Sequence, residues 1–112
     1  LYIEDLAERA PFSAADRQDL LSHVHGVSVT SSEAYVADLR AAGFTDIVAT
    51  DLTPDWMPFA AERLAAWRAD RAAIAARQGD GAWATQEQFY AAIDRLYRGG
   101  SLAGIRLTAR AG

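Results

Sequence analysis

The sequence predicts an α/β fold in one domain, residues 1–112: a three-stranded mixed sheet with helices packed on it. Three short runs, residues 1–6, 46–52 and 102–110, carry the aliphatic, aromatic and β-branched patterning of strands. Between them apolar residues recur at helical spacing. The resulting order is strand, two helices, strand, two helices, strand, which implies alternating layers joined by right-handed crossovers. At 112 residues the chain has room for one core and no second domain.

Each element has a local reason. Residues 1–6 form a strand that leads towards Pro11, which cannot donate to a ladder. Ser13 caps a helix over about 14–25, with Asp16 in its first turn and Leu20, Leu21 and Val24 on one side. Thr30 and Glu33 have the spacing of a capping box, and Tyr35, Leu39 and Ala42 share a face of the helix that follows. Gly43 ends it in a Schellman turn that lets Leu39 touch Phe44. The strand 46–52 comes next. Thr53-Pro54-Asp55 then starts a long alanine-rich helix to about Gln78. Gly79-Asp80-Gly81 breaks it, and Thr85 with Gln88 has the spacing to cap a last helix that runs to Gly99. In the final strand Ile105, Leu107 and Ala109 face one way and Arg106, Thr108 and Arg110 the other.

Composition excludes several functions. The net charge of −4 argues against nucleic acid and anionic membrane as partners, since both require a basic excess. No apolar run approaches the roughly 20 residues of a membrane span. With no cysteine there is no disulfide, thiolate nucleophile or sulfur-based zinc site, and a cytoplasmic location is the expectation. All 11 basic residues are arginine. The chain opens on a strand without a methionine, which suggests that it starts inside a fold, as a fragment, a processed product or the later part of a longer chain. Three strands also leave sheet edges open, so either a homo-oligomer such as a dimer or a missing N-terminal half is expected to cover them.

Four segments together carry a resemblance: LYIED at 1–5, YVADLRAAGFTD at 35–46, DLTPDW at 51–56 and GIRLTAR at 104–110. Their order and spacing resemble the C-terminal half of a Rossmann-like, class I S-adenosylmethionine-dependent methyltransferase domain. The likeness is greatest to the small-molecule branch of sarcosine and dimethylglycine N-methyltransferases. It covers nearly all of this chain and half of the family's domain. The resemblance implies that the three strands are the family's fifth, sixth and seventh, with the last inserted antiparallel between the other two. It also implies S-adenosylmethionine as cofactor of the complete domain and a small-molecule methyl acceptor as substrate. The family's glycine-rich loop, ribose-binding acid and adenine-contacting segment belong upstream of Leu1. Gly79-Asp80-Gly81 lies between helices and is no substitute. The expectation is therefore that this chain alone has no cofactor-binding residues and does not transfer methyl groups.

Candidate acceptor-binding residues are Glu4, Asp5, His23, Trp56 and Arg63. Glu4 and Asp5 are read at the C-terminal end of the first strand, where ligands bind in open α/β sheets and a carboxylate can orient or deprotonate an amine; the alternative is a solvated pair. His23 and His25 can each act as a base, or simply end a helix. At i and i+2 they diverge by roughly 200°, so no metal site is expected. Trp56, with Met57 and Phe59, either walls an acceptor pocket or anchors the long helix. Arg63 or Arg68 can clamp an acceptor carboxylate, or belong to a solvated face with Glu62 and Asp70. Trp67, Trp83, Phe89, Tyr90, Ile93 and Tyr97 read as core or interface packing. Two other functions stay open: a stand-alone α/β binding or self-association module without catalysis, and an unrelated α/β enzyme that uses His23 or Glu4.

Overall fold

A computed structural model describes residues 1–24 and 29–112. Its elements are β1 (Tyr2–Glu8), α1 (Ala14–Asp19), a π-helical segment (Leu20–Val24), α2 (Ser32–Ala41), β2 (Phe44–Asp51), α3 (Thr53–Ala69), α4 (Arg71–Gln78), α5 (Asp80–Arg98) and β3 (Leu102–Ala111). The expected α/β class is observed. The sheet order is β1-β3-β2, so the last strand lies between the first two, as the resemblance implied. β1 and β2 run in one direction and β3 in the other, which makes both hydrogen-bonded ladders antiparallel.

β3 can occupy the centre because its first half is apolar on both faces. Leu102, Ala103, Gly104 and Ile105 are all buried. Alternation sends Leu102 into one core, with Phe12, Leu20, Ile93, Leu96 and Tyr97. Ala103, Ile105 and Leu107 enter the opposite one, with Ala7. α3, α5 and the π-helical segment cover the first face. α2 covers the second through the half-buried Tyr35, Val36 and Leu39.

Several boundaries differ from the sequence reading, each for a local reason. Ser13 caps α1 as expected, with a reciprocal box: Asp16 N–H donates to Ser13 Oγ and Ser13 N–H to Asp16 Oδ2, both at 3.0 Å. The α geometry stops at Asp19, however, and continues as the π-helical segment. His25 lies outside the described residues. α2 is capped by Ser31 rather than Thr30, with Ala34 N–H donating to Ser31 Oγ at 3.1 Å. The Thr30 carbonyl is instead tied to β1, accepting from Glu8 N–H at 2.8 Å.

Gly43, at φ 95°, ends α2 as predicted. β2 begins directly after it, two residues before the expected start, and shifts register between Thr45 and Val48. Asp46 sits in that shift at φ 51°, a conformation that Asp tolerates better than most residues.

The single long helix of 53–78 is two helices, broken at Asp70. In a continuous helix the Trp67 carbonyl would accept from the Arg71 N–H. Here it accepts from Trp83 Nε1 at 3.2 Å, while Trp67 Nε1 donates to the Trp83 carbonyl at 3.1 Å. This reciprocal pair ties α3 to α5. α5 itself starts at Asp80 rather than Thr85, because Gly79 at φ 93° makes the turn. The Thr85 hydroxyl then donates back to the Gly81 carbonyl at 3.0 Å inside the helix.

Leu107 has no exposed surface and packs where β3 meets α2. Leu107→Ala is expected to lower unfolding free energy by about 2–5 kcal/mol. In urea denaturation this shows as an earlier midpoint at unchanged slope.

Candidate functional site

A concavity of about 440 Å³ lies between α3 and α5 over the sheet. Its α3 wall is Trp56, Phe59, Ala60 and Arg63, spaced i, i+3, i+4 and i+7, which is one helical face. Its α5 wall is Phe89, Tyr90, Ile93 and Tyr97, and Leu6 of β1 contributes from the floor. Arg63 is the only charged residue in this lining.

Trp56 reaches its place because β3 carries a glycine beneath it. A Cβ on Gly104 would stand 2.7 Å from Trp56 Cδ2 and closer still to Cε3. The Gly104 N–H donates to the buried Thr53 Oγ1 at 3.2 Å, and its carbonyl accepts from Leu52 N–H at 2.7 Å. The first turn of α3 is thereby fixed to the middle of the sheet.

At the other end of the cleft Arg63 Nη2 donates to Tyr90 Oη at 3.3 Å, and the guanidinium carbon lies 5.7 Å from the Tyr90 ring centroid. This hydrogen bond is the main cause that holds the Tyr90 hydroxyl below its ordinary pKa. Tyr90 also meets Trp67 and Phe89 edge-on, with centroids 5.7 and 5.5 Å apart. Burial, reinforced by the charge of Asp51, pushes the Tyr97 hydroxyl up to about 12.

Of the residues singled out from sequence, the cleft brings together Trp56 and Arg63 and leaves out three. Glu4 and Asp5 are not at the strand end: β1 continues to Glu8, because Ala7 and Glu8 still find partners in Ala103 and Leu102. Glu4 shares the sheet face of Leu6 but lies beyond the helices. There it accepts from Arg106 Nη2 at 3.0 Å and Nε at 3.2 Å, and from Tyr2 Oη. Those bonds, the tyrosine's first, hold its carboxyl below the usual range. Asp5 points to the opposite face and accepts from Tyr35 Oη at 2.9 Å. His23 is half-buried in the π-helical segment and does not line the cleft. Arg68, the other clamp candidate, lies 3.7 Å from Glu87.

Phe89, Tyr90, Ile93 and Tyr97, read from sequence as core or interface packing, include two core residues, Ile93 and Tyr97, with Phe89 packed against them, and all four also wall the cleft, which the sequence did not show. The spacing that pairs them with the α3 face was available; the antiparallel approach of α3 and α5 was not. A smaller polar depression of about 260 Å³ lies at the C-terminal ends of β1 and β2, between Glu8, Arg9, Glu33 and Asp51. Asp51 is held below the usual carboxylate range by Thr53, through its hydroxyl and then its N–H. No group of three or more metal-ligating side chains occurs among the described residues, and no helix there is long and apolar enough to cross a membrane.

No protein-family model matches the chain, and no curated protein matches it. Solved structures do. The cyclopropane synthase MmaA2 from Mycobacterium tuberculosis superposes with a TM-score of 0.81 and 13% identity, over 97% of this chain and 43% of that one. Phospholethanolamine N-methyltransferase 2 of Haemonchus contortus, in complex with phosphomonomethylethanolamine and S-adenosylhomocysteine, gives 0.82 and 13% over 96% and 25%. The mycolic acid cyclopropane synthase CmaA1 with S-adenosylhomocysteine and CTAB gives 0.77 and 16% over 96% and 42%. This chain thus spans between a quarter and under half of the length of these neighbours. It has the fold of the corresponding part of these enzymes.

Two outcomes follow from the cleft geometry. Gly104→Ala forces the Trp56 ring aside and is expected to cost about 1–3 kcal/mol of stability. The Trp56 indole resonance in a ¹H–¹⁵N spectrum should move while those of Trp67 and Trp83 stay. For Tyr97 the folded-state pKa lies above the unfolded value of about 10, so stability linked to this group is intact below pH 10 and is lost as pH rises through about 12. Urea midpoints between pH 9 and 11.5 should fall less steeply for Tyr97→Phe than for the native chain.

Proposed function

We propose that this chain is the acceptor-binding C-terminal part of an S-adenosylmethionine-dependent small-molecule methyltransferase. The observation that carries the reading is the aromatic cleft between α3 and α5, open to solvent and bounded by Trp56 at one end and Arg63 at the other. It is built on a fold shared with methyltransferases.

In this reading the cofactor belongs to the complete domain, where it supplies an electrophilic sulfonium methyl group. The residues described here do not fit it. Gly79 joins α4 to α5 and Gly81 lies in the first turn of α5, so neither follows a strand. This chain's contribution is positioning: aromatic walls exclude water around the acceptor, and Arg63 fixes its orientation by charge. Holding the reactants in register is the main source of rate in a displacement of this kind. Glu4 and Asp5 are engaged with Arg106 and Tyr35 outside the cleft, which leaves Trp56 and Arg63 as the acceptor-facing candidates.

The protein isolated from its native source should transfer labelled methyl from S-adenosylmethionine to small organic acceptors. Trp56→Ala should lower kcat/KM for the acceptor at least tenfold and leave the affinity for S-adenosylmethionine unchanged. Absence of methyl transfer to any small-molecule acceptor overturns the proposal.

A further inference from the structure

Resting on the reading of the α3–α5 cleft as an acceptor site, we infer that its ligand is an anionic amphiphile: a molecule with a carboxylate at one end and an apolar body, rather than a small hydrophilic amino acid. Trp56 and Arg63 are seven residues apart on α3, so at 1.5 Å per residue the cleft runs about 10 Å between them. Between the two ends the α3 and α5 walls are carbon surface, and Phe59 keeps 60% of its own area exposed at the open side. A ligand of two or three carbons would leave most of that surface wet. An apolar body about 10 Å long covers it, and such burial is the main source of affinity in sites of this type.

The head group is chosen by Arg63. Among the described residues no carboxylate lies within salt-bridge distance of it, while Arg68, Arg95, Arg98, Arg106 and Arg110 each have one. Its position is fixed by Tyr90, through a 3.3 Å hydrogen bond and the ring beneath it. The guanidinium has further donors, which match the two oxygens of a carboxylate. No carboxylate lines the cleft, so a cationic head group finds no counter-charge there.

The test is a titration of the native chain with four probes, decanoate and decyltrimethylammonium below their micellar concentrations, decanol below its solubility limit, and sarcosine. The readout is the Trp56 indole resonance, with those of Trp67 and Trp83, held by each other's carbonyls, as internal references. Decanoate should shift Trp56 and bind at least tenfold more tightly than decyltrimethylammonium or sarcosine. Arg63→Gln should weaken decanoate about tenfold and leave decanol within twofold, which also shows that the variant is folded. Decyltrimethylammonium or sarcosine binding as tightly as decanoate, with the same Trp56 shift, overturns the anionic-amphiphile assignment and leaves the acceptor-site reading standing. Failure of all four probes to move Trp56 overturns both. Decanoate binding that depends on Arg63, in a protein that transfers no methyl group, supports the ligand class and removes the methyltransferase reading.

Discussion

The central position of β3 is the constraint on which the rest of the structure depends. The last strand in sequence is the middle strand in space, and it pairs with β1 across about a hundred residues and with β2 across about sixty. Neither outer strand touches the other, so neither has a ladder until the chain's final residues arrive. Contacts of such sequence separation form late and cooperatively, because loop closure must precede the gain from pairing. Both cores also pass through β3, with Leu102 in one and Leu107 in the other. A change in this strand is felt on both faces of the sheet.

The same strand couples fold to site. Gly104 lacks the atom that would hold Trp56 away, and its backbone engages Leu52 and Thr53 at the start of α3. Farther along, α3 is registered to α5 by the exchanged indole bonds of Trp67 and Trp83. Each indole satisfies a carbonyl of the other helix, so sliding one helix by a turn would break both bonds and bury two unpaired donors. The cleft lies between these two points of attachment. Its width is set by Gly104 below and the tryptophan pair beyond.

Legibility from sequence follows the range of the interaction. Ser13 with Asp16 and Gly43 were readable because capping is decided within four residues. The Thr30–Glu33 and Thr85–Gln88 boxes were false starts of the same kind: the Thr30 carbonyl was taken by β1, and Gly79 had already started α5. The break at Asp70 was not readable, because the Trp67 carbonyl is taken by an indole sixteen residues further along the chain. β1 was read as ending at Leu6, and its extension to Glu8 depends on partners that only the sheet reveals. Half of the cleft was legible for a related reason. Trp56 and Arg63 follow a strand end and stand out as chemistry, whereas Tyr90 and Tyr97 have helical spacing that core residues share. The order β1-β3-β2 came from family resemblance, although the continuous apolar run from Leu102 to Ile105 already carried the mark of a strand enclosed on both faces.

The arginine-only composition is best understood by comparing environments. Arg106 with Glu4 and Arg110 with Asp46 are pairs on open surface, where water screens the attraction and the net contribution is small. They fix side-chain geometry more than stability. Arg63 differs in its surroundings: one side faces solvent, the other borders aromatic carbon, and among the described residues no carboxylate lies within salt-bridge distance of it. An ion pair formed at such a boundary is screened less than one in bulk water. The desolvation cost stays partial because the guanidinium keeps an open side, which is what makes fully buried pairs unfavourable and this position different. Tyr90 adds orientation, since a guanidinium stacked on a ring and bonded to its hydroxyl presents its remaining donors in one direction. Lysine in the same position would place a strongly hydrated point charge there without that plane. The discrimination between anionic and cationic ligands therefore resides in one side chain and the ring that holds it, while the length of apolar wall behind them sets how much of the ligand is bound by carbon.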